Sequence, residues 1–371
     1  MVCMGLLLVL SSCHTGKQIT ASGLQRKDFQ TEVNGQHTDL FTLSNKQGME
    51  VCITNYGARV VSILVPDRNG KREDVVCGFS TITEYMEQRQ NFGSTVGRYI
   101  GRILNARFTL DGVEYKLVPN NGKSGHISHG GNPGFADRIW KVEQADTHRV
   151  RLSYLSPDGE NGFPGNLKVT LVYSLGEDDN ALDLTYEATT DAPTVLNLSH
   201  HSFFNISGNF TKSVEDQQLW VDADRFTPYD DKKCVTGEYL PVAGTPLDFR
   251  MPHAIGECID ADHPQLKVVN GYDHTWELNT KGDDTRPAAW VYDPASGRKM
   301  EIFTTEPGMQ IYTGNGLKGK MTGKGRIAYP FRSAVCFETM HFQDSPNQPG
   351  FPSTVLRPGE VFRSHTVYKF E

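Results

Sequence analysis

Hydrophobic and polar residues alternate along many short stretches of this chain. Residues 49–54 alternate with a period of two, and residues 60–65 form an apolar run interrupted only by Ser62. Successive side chains of a β-strand point to opposite faces, so these patterns indicate strands with one or both faces buried. Similar runs predict further strands at 150–155, 167–174, 181–187, 290–292, 300–304, 310–313, 335–338 and 366–370.

Turn signals separate these runs. Asp111 and Gly112 stand between the strand-like stretches 107–110 and 113–117, which is typical of a two-residue hairpin. The chain contains 36 Gly and 19 Pro, about one residue in seven. This density of chain-turning residues favours many short strands over long helices.

Helical signals are few. Only 82–90 is an uninterrupted helix-compatible stretch, and 252–258 fits a single turn. No repeat of fixed period and no Pro/Gly/Ser-rich linker divides the body of the chain. The sequence therefore predicts an all-β fold, a large antiparallel β-sandwich that forms one domain over residues 28–371.

The first residues resemble a targeting segment. Residues 4–10 are apolar but too few to span a bilayer, and they occupy the place of the apolar core of an export signal. The Leu-Ser-Ser-Cys segment at 10–13 resembles the lipobox of bacterial lipoproteins, in which the cysteine is lipidated. We therefore expect a signal peptide over 1–13, a lipidated Cys13 and a polar tether over 14–27.

This interpretation places the protein in the bacterial periplasm or cell envelope, held at a membrane through the lipid alone. One feature departs from the usual pattern, since the first three residues include no Lys or Arg. The alternative is a frayed apolar N-terminus without a targeting role.

Composition excludes several classes of function. Lys and Arg number 37 against 44 Asp and Glu, which gives a net charge of −7, and no basic run is present. Nucleic-acid binding is therefore not expected. Hydrophobic residues make up 37% of the chain, enough for a sizeable core. The seven cysteines include no C-x-x-C pair, which argues against a disulfide framework or a zinc site.

We expect the protein to be a monomer or weak dimer.

Five stretches combine loop signals with clustered polar groups, and catalytic groups of β-sandwiches usually lie in such places. They are 97–103 with Arg98 and Arg102, 126–135 with His126 and His129, 197–206 with His200 and His201, 270–276 with Asp273, and 334–340 with Glu338. Adjacent residues of a strand face opposite sides, so His200 and His201 cannot both point into one pocket.

Each stretch has a functional and a structural interpretation. An arginine fork can bind a polyhydroxyl ligand or remain in solvent. The carboxylate of Asp273 can accept hydrogen bonds from a ligand or cap its own backbone. Glu338 closes an apolar run, where burial raises a carboxyl pKa toward the range of a general acid or base, but it can also face solvent at a strand edge.

Together these groups suit acid–base chemistry on an uncharged polar substrate such as a sugar. The chain has no phosphate loop and no nucleotide fingerprint. His126 and His129 can form half a metal site, but no acidic or thiol partner lies near them in the sequence.

Taken in order, the stretches resemble the motifs of one family, the aldose 1-epimerases or galactose mutarotases. The matches are 97–103 to G-R-x-x-N-R-I, 128–131 to L-H-G-G, 197–206 to N-L-x-N-H-S-Y-F-N-L, 271–274 to G-[FY]-D-H, 306–315 to Q-P-G-x-Q-x-Y-T-G-N, and 337–360 to the C-terminal signature of the family. The similarity runs from about residue 28 to residue 371.

The resemblance implies an isomerase that interconverts the α and β anomers of free aldohexoses such as D-galactose and D-glucose by ring opening and reclosure. It implies Glu338 as general base and His201 as general acid. The residues that match sugar-binding positions are His129, Arg102, Asp273 and Gln310. The family also implies a large β-sandwich with no metal and no organic cofactor.

Two residues depart from the pattern of the family. Gly101 stands where many members have a sugar-contacting Asn, and His200 replaces Asn just before the proposed acid. Both bear on sugar preference more than on the reaction. Two other functions remain open from the residues alone: a glycoside hydrolase that uses Glu338 with Asp273, and a non-catalytic sugar-binding lipoprotein.

Overall fold

The computed structural model describes residues 18–371. The predicted signal peptide over 1–13 and its Cys13 lie outside the described residues. The strands are β1 (Glu32–Val33), β2 (Gln36–His37), β3 (Leu40–Ser44), β4 (Glu50–Thr54), β5 (Arg59–Pro66), β6 (Arg72–Asp74), β7 (Ser94–Val96), β8 (Arg102–Ile103), β9 (Arg107–Leu110), β10 (Val113–Lys116), β11 (Ile127–Ser128), β12 (Lys141–Ala145), β13 (Arg149–Ser156), β14 (Leu167–Leu175), β15 (Ala181–Thr190), β16 (Thr194–Val195), β17 (Ser199–His201), β18 (Phe203–Phe204), β19 (Gln218–Val221), β20 (Arg225–Thr227), β21 (Leu240–Pro241), β22 (His253–Ala254), β23 (Asp273–Glu277), β24 (Ala289–Tyr292), β25 (Lys299–Thr304), β26 (Gly308–Tyr312), β27 (Val335–Met340), β28 (Val355–Leu356) and β29 (Phe362–Phe370).

Helices are short. The α-helices of the described residues are α1 (Ile82–Gln88) and α2 (Pro264–Val269), and the 3₁₀ helices are Arg26–Phe29, Leu104–Ala106, Gly122–Ser124, Phe135–Asp137, Glu160–Gly162, Ile255–Glu257, Lys324–Arg326 and Ser345–Asn347. Among residues 18–371, no helix has the length and hydropathy needed to cross a membrane.

Three antiparallel sheets form the body of the domain. The largest has nine strands in the order β12-β13-β14-β15-β29-β25-β24-β19-β22. A six-stranded sheet has the order β18-β27-β26-β23-β20-β21, and a four-stranded sheet has the order β3-β4-β5-β6. The mostly β architecture confirms the predicted all-β sandwich.

The main core lies between the nine-stranded sheet and the two smaller ones. One buried cluster contains Leu171 and Leu184 of the large sheet, Ile311 and Phe337 of the six-stranded sheet, and Ile63 of the four-stranded sheet. Strand β14 shows the cause, since its residues alternate between buried and more exposed along its whole length. An alternating strand buries one face and leaves the other toward solvent.

The six-stranded sheet uses both of its faces. Met309 and Ile311 of β26 belong to the main core, so Gln310 and Tyr312 between and after them point to the opposite side. The same alternation in β27 sends Phe337 into the core. This second face of the sheet is where polar side chains collect.

The predicted helix at 82–90 is found as α1. Thr81 forms a capping box with Glu84, in which each side chain accepts a hydrogen bond from the backbone N–H of the other. Arg89 ends the helix in the left-handed region at φ 46°. The stretch 252–258, which fits a single turn, contains β22 followed by the 3₁₀ helix Ile255–Glu257, and α2 was not predicted.

The predicted tether over 14–27 is wrong where the structure describes it. Leu24 is buried in a core cluster, and the backbone N–H of Ala21 donates to Oε1 of Glu50 at 2.7 Å. Residues 18–27 therefore pack against the domain instead of extending from it. The cysteines at 52, 77, 234, 258 and 336 are all free thiols, in agreement with the absence of a predicted disulfide framework.

We predict a pH-dependent contribution to stability from His365. Its Nε2 contacts Asp183 at 3.1 Å and its Nδ1 contacts Asp284 at 2.7 Å, and the two carboxylates raise its pKa to about 8. The folded-state pKa is raised, so the stabilisation is complete below the unfolded value of about 6.5 and is lost as the pH rises through 8.

The measurement compares urea unfolding of the wild type and of His365→Gln at pH 6 and pH 9. The side chain is one-third exposed, so solvent screening reduces the expected difference at pH 6 to roughly 1 kcal/mol. At pH 9 the two proteins should be nearly equal. An equal difference at both pH values would contradict the assignment.

Candidate functional site

A cavity of about 270 Å³ opens on the polar face of the six-stranded sheet. It is small and concave, as expected of a site for one small ligand. All six residues that the sequence predicted for the site line this one cavity. The lining residues are Gln90, Asn91, Gly101, Arg102, Ser128, His129, His201, Phe203, Asp273, Gln310, Tyr312, Glu338, Met340 and Gln343.

Three neighbouring strands supply the floor of the cavity. Asp273 lies on β23, Gln310 on β26 and Glu338 on β27, and Gln310 is directly opposite Glu338 in the strand register. Asp273 is opposite Tyr312, two residues from Gln310, and therefore on the same face. Period-two alternation alone brings these residues, which are far apart in sequence, to one surface.

The walls come from shorter elements. His201 ends β17, which pairs with β7. Arg102 and Ser128 pair across β8 and β11, and the backbone N–H of His129 donates to the carbonyl of Gly101 at 2.8 Å. The glycine after His129 lets the backbone pack closely against Gly97, because a Cβ at Gly130 would lie 2.0 Å from the carbonyl oxygen of Gly97.

Glu338 and His201 form a buried pair. Oε1 of Glu338 lies 3.3 Å from Nε2 of His201, and the two side chains are 5% and 6% exposed. On its other side, Nδ1 of His201 lies 3.6 Å from Sγ of Cys336. The ring of Phe203 stacks on the imidazole with 5.1 Å between centroids, which fixes the plane of the ring.

Burial sets the protonation of the pair. It raises the pKa of Glu338 well above its ordinary value, and the nearby Asp273 adds to the rise while Arg102 opposes it. Burial lowers the pKa of His201 well below its ordinary value, and His129 adds to the fall. Both shifts disfavour the charged form, so the neutral carboxyl group and the neutral imidazole are favoured in the free protein.

His129 is a neutral hydrogen-bond donor to the cavity. Burial, with a smaller effect of Arg102, lowers its pKa to about 4. Its Nδ1 accepts a hydrogen bond from the backbone N–H of Gly101 at 3.4 Å. In the neutral imidazole the proton then resides on Nε2, which is left to donate to a ligand.

A chain of side-chain hydrogen bonds holds the polar floor in place. Gln310 donates from Nε2 to Oδ1 of Asp273 at 2.6 Å and accepts at Oε1 from the hydroxyl of Thr275 at 2.5 Å. The amide orientation of Gln310 is thereby fixed. Burial raises the pKa of Asp273, while Arg102 and Gln310 oppose the rise.

Several residues considered from the sequence lie outside the cavity. Arg98 is buried and donates to backbone carbonyls, among them Pro164 at 2.7 Å. His126 bonds the backbone N–H of Asn105 and contacts Cys234, so it does not join His129 in a metal site. Their roles are structural.

His200 faces the core, as the alternation argument required for one member of its pair. Its ring lies about 6 Å from the rings of Tyr173 and Tyr368, and Nε2 contacts the hydroxyl of Ser202 at 2.6 Å. Burial lowers its pKa to about 3. His200 therefore does not line the cavity, and a bearing of this residue on sugar preference stays a prediction.

Sequence reasoning missed part of the lining. Gln343 and Tyr312 belong to it, and the hydroxyl of Tyr229 accepts a hydrogen bond from Gln343 at 2.7 Å just behind the wall. Tyr312 lies two positions after the predicted Gln310 on the same strand, so strand alternation places it on the same face and could have identified it. Nothing in the local pattern around Gln343 indicated its place.

The residues that can hold a metal ion coincide with the buried pair. Within residues 18–371, His201, Cys336 and Glu338 form the group whose ligand atoms lie close together. One ligand atom of each residue lies within 4.8 Å of the others, while the thiol and the carboxyl contact different nitrogens of the imidazole. The expectation of a metal-free site remains a prediction.

Fold and cavity define a class of protein: a large β-sandwich with a small polar cavity in which a buried carboxyl group contacts an imidazole. Residues 39–369 match the sequence model of the family described as aldose 1-epimerase. The chain belongs to the aldose 1-epimerase family.

Relatives resemble it over nearly their full lengths. Galactose mutarotase from Bos taurus is 40% identical over 331 residues, 89% of this chain and 93% of that protein. Aldose 1-epimerase from Escherichia coli strain K12 is 36% identical over 339 residues, 91% of this chain and 96% of that protein.

Solved structures agree with this assignment. The aldose epimerase homologue from C. elegans superimposes with a TM-score of 0.83 at 30% identity, covering 90% of this chain and 99% of that chain. Galactose 1-epimerase from Lactobacillus acidophilus gives 0.79 at 28% identity, covering 92% and 96%.

We predict that the His201 imidazole is neutral in the free protein at pH 7, because burial lowers its pKa. The measurement is the ¹⁵N chemical shift of the ring nitrogens between pH 5.5 and 8.5. His365, whose pKa is raised to about 8, is the internal reference and should appear charged below that pH. An imidazolium signature for His201 at pH 7 would contradict the prediction.

Proposed function

We propose that this protein interconverts the α and β anomers of free aldohexoses, such as D-galactose and D-glucose, by acid–base ring opening and reclosure. The observation that carries the proposal is the contact of 3.3 Å between Glu338 and His201 inside a cavity of monosaccharide size. The anomeric hydroxyl O1 and the ring oxygen O5 are bonded to the same carbon. Two proton-exchanging groups this close together can therefore serve both oxygens at once.

The carboxylate of Glu338 removes the proton of O1 while His201 donates a proton to O5, and the C1–O5 bond opens. The free aldehyde rotates about C1–C2, and the ring closes on the other face with both transfers reversed. One proton on the pair suffices in both directions, and each positioned transfer accelerates the reaction by about 10²–10⁴. Hydrogen bonds from the bound sugar replace solvation that burial removed, which favours the ionised form of the pair.

The remaining lining residues hold the sugar. His129 donates from Nε2, and Arg102, which also lines the cavity, donates from its guanidinium. The carboxylate of Asp273 retains oxygen lone pairs for hydroxyl groups after it accepts from Gln310. Alternating donors and acceptors of this kind match the hydroxyl groups of an aldose.

The geometry favours an isomerase over a glycoside hydrolase. A hydrolase needs two carboxyl groups on either side of the scissile bond. Here Glu338 contacts an imidazole, while Asp273 accepts from the amide of Gln310. The pairing of unlike groups suits the simultaneous removal of a proton from O1 and donation of a proton to O5.

The location of the protein is a further part of the proposal and rests on sequence alone. The apolar segment 4–10 and the lipobox-like residues up to Cys13 support export to the periplasm or cell envelope with a lipid anchor. We propose that the domain acts there as a monomer or weak dimer.

Glu338→Gln should reduce mutarotation of freshly dissolved α-D-galactose and α-D-glucose at least 10²-fold, because an amide cannot remove the proton of O1. Polarimetry measures the rate. Sugar binding, measured by calorimetry, should persist because the variant keeps the size of the side chain and can still accept a hydrogen bond.

The matched control is Glu306→Gln. Glu306 is also buried and also contacts an imidazole, with 2.7 Å between its Oε2 and Nδ1 of His341, but it does not line the cavity. The turnover of this control should stay within about threefold of the wild type. Near-native turnover in Glu338→Gln would remove Glu338 from the mechanism.

Cys13→Ala should release the protein from membranes when the gene is expressed in a bacterium, because the predicted lipid attachment site is lost. Detergent phase partition reports the change, with the wild type in the detergent phase and the variant in the aqueous phase. Cys3→Ala is the control and should behave as the wild type does. Aqueous partition of the wild type would overturn the anchoring proposal.

A further inference from the structure

Gly101 and Gln343 interlock at one wall of the cavity. Gly101 has φ +75°, and a Cβ built on it would lie 2.6 Å from Cγ of Gln343 and 3.1 Å from its Cδ. A side chain at position 101 would therefore need a strained backbone and would occupy the space of Gln343. The glutamine side chain fills the volume that the glycine leaves open.

The amide nitrogen of Gln343 is fixed from behind. Nε2 donates to the hydroxyl of Tyr229 at 2.7 Å and to Oε1 of Gln310 at 3.3 Å. Both hydrogens of the amide are thereby used within the protein. This arrangement orients the carbonyl oxygen, since the two ends of a planar amide point in opposite directions.

Only the amide nitrogen of Gln343 bonds to the protein, and the side chain lines the cavity. The carbonyl oxygen Oε1 has no hydrogen-bond partner among residues 18–371 and is open to the cavity, so it is free to accept a hydrogen bond from a ligand. Arg102 also lines the cavity and supplies only donors, so the two side chains offer both kinds of hydrogen-bonding group to the hydroxyl groups of a sugar.

We infer that Gln343 is a sugar-binding residue whose Oε1 accepts a hydrogen bond from one ring hydroxyl, and that Gly101 is required to make room for it. The inference rests on the proposed function, since it assigns an additional contact in the same site. Gln343 adjoins Gln310 and not the Glu338–His201 pair, so its contact contributes to binding and to the choice of aldose rather than to proton transfer.

Gln343→Met tests the inference, because Met keeps the length of the side chain and lacks the acceptor. The hydroxyl of Tyr229 and Oε1 of Gln310 keep their other partners, Gln310 and Thr275, so no buried group is stranded. The KM for the parent sugar should rise about 3- to 10-fold, the range of one hydrogen bond, with kcat within about twofold.

A panel of 2-, 3-, 4- and 6-deoxy sugars identifies the hydroxyl. One deoxy sugar of the panel lacks the hydroxyl that contacts Gln343. The wild type should bind this sugar more weakly than the parent sugar, whereas Gln343→Met should bind both equally because the contact is already absent. Gln343→Ala is measured in parallel, with circular dichroism to verify folding of both variants. The control is Gln348→Met, whose amide donates to Asp344 on the same loop outside the cavity and which should show wild-type constants.

Calorimetric binding of the same sugars separates this inference from the proposed function. If the wild type binds sugars but does not interconvert anomers, the proposed function fails while the contact of Gln343 is still measured by affinity. If both Gln343 variants fold and bind every sugar of the panel with the wild-type pattern of penalties, the inference is overturned.

Discussion

The structure depends on one constraint, the two-sided use of a single antiparallel sheet. The six-stranded sheet must bury one face against the nine-stranded sheet while the other face carries acid, amide and imidazole groups. Strand alternation meets both demands, since Ile311 and Phe337 pack in the core while Gln310 and Glu338 face the cavity. A shift of one residue in register would exchange the two sets and destroy core and site together.

The buried polar groups on this second face of the sheet also need hydrogen-bond partners. Hydrogen bonds among Asp273, Gln310, Thr275, Gln343 and Tyr229 fix the orientation of most of them. Glu338 and His201 differ, because burial disfavours the charged form of each of them. The network thus provides a fixed polar floor beside this buried pair.

Much of the fold and site could be predicted from the sequence, and the exceptions have physical causes. Strands of the large sheet show clear alternation, so their existence was evident. Strand β23, which carries Asp273, was not predicted as a strand because its buried pattern includes His and Thr. The packing of residues 18–27 was missed because their polar composition was interpreted as that of a flexible tether. Leu24 holds the segment against the domain, since it is buried in a core cluster.

The site followed from family motifs more than from local pattern. His129, His201 and Glu338 are far apart in sequence, and no spacing rule brings them together. Strand alternation correctly required that only one of His200 and His201 faces the cavity, and the family motif indicated that it is His201. The position of Gln343 could not be predicted, because it depends on the empty space beside a glycine more than 200 residues earlier in the chain.

The central claim is that one carboxyl and one imidazole serve two oxygens on the same carbon. A crystal structure of Glu338→Gln with bound D-galactose tests it most directly. The account predicts O5 within hydrogen-bond distance of Nε2 of His201, and O1 within the same distance of the side chain at position 338. A sugar bound with C1 remote from both groups, or with only one of them in reach of C1, would contradict it.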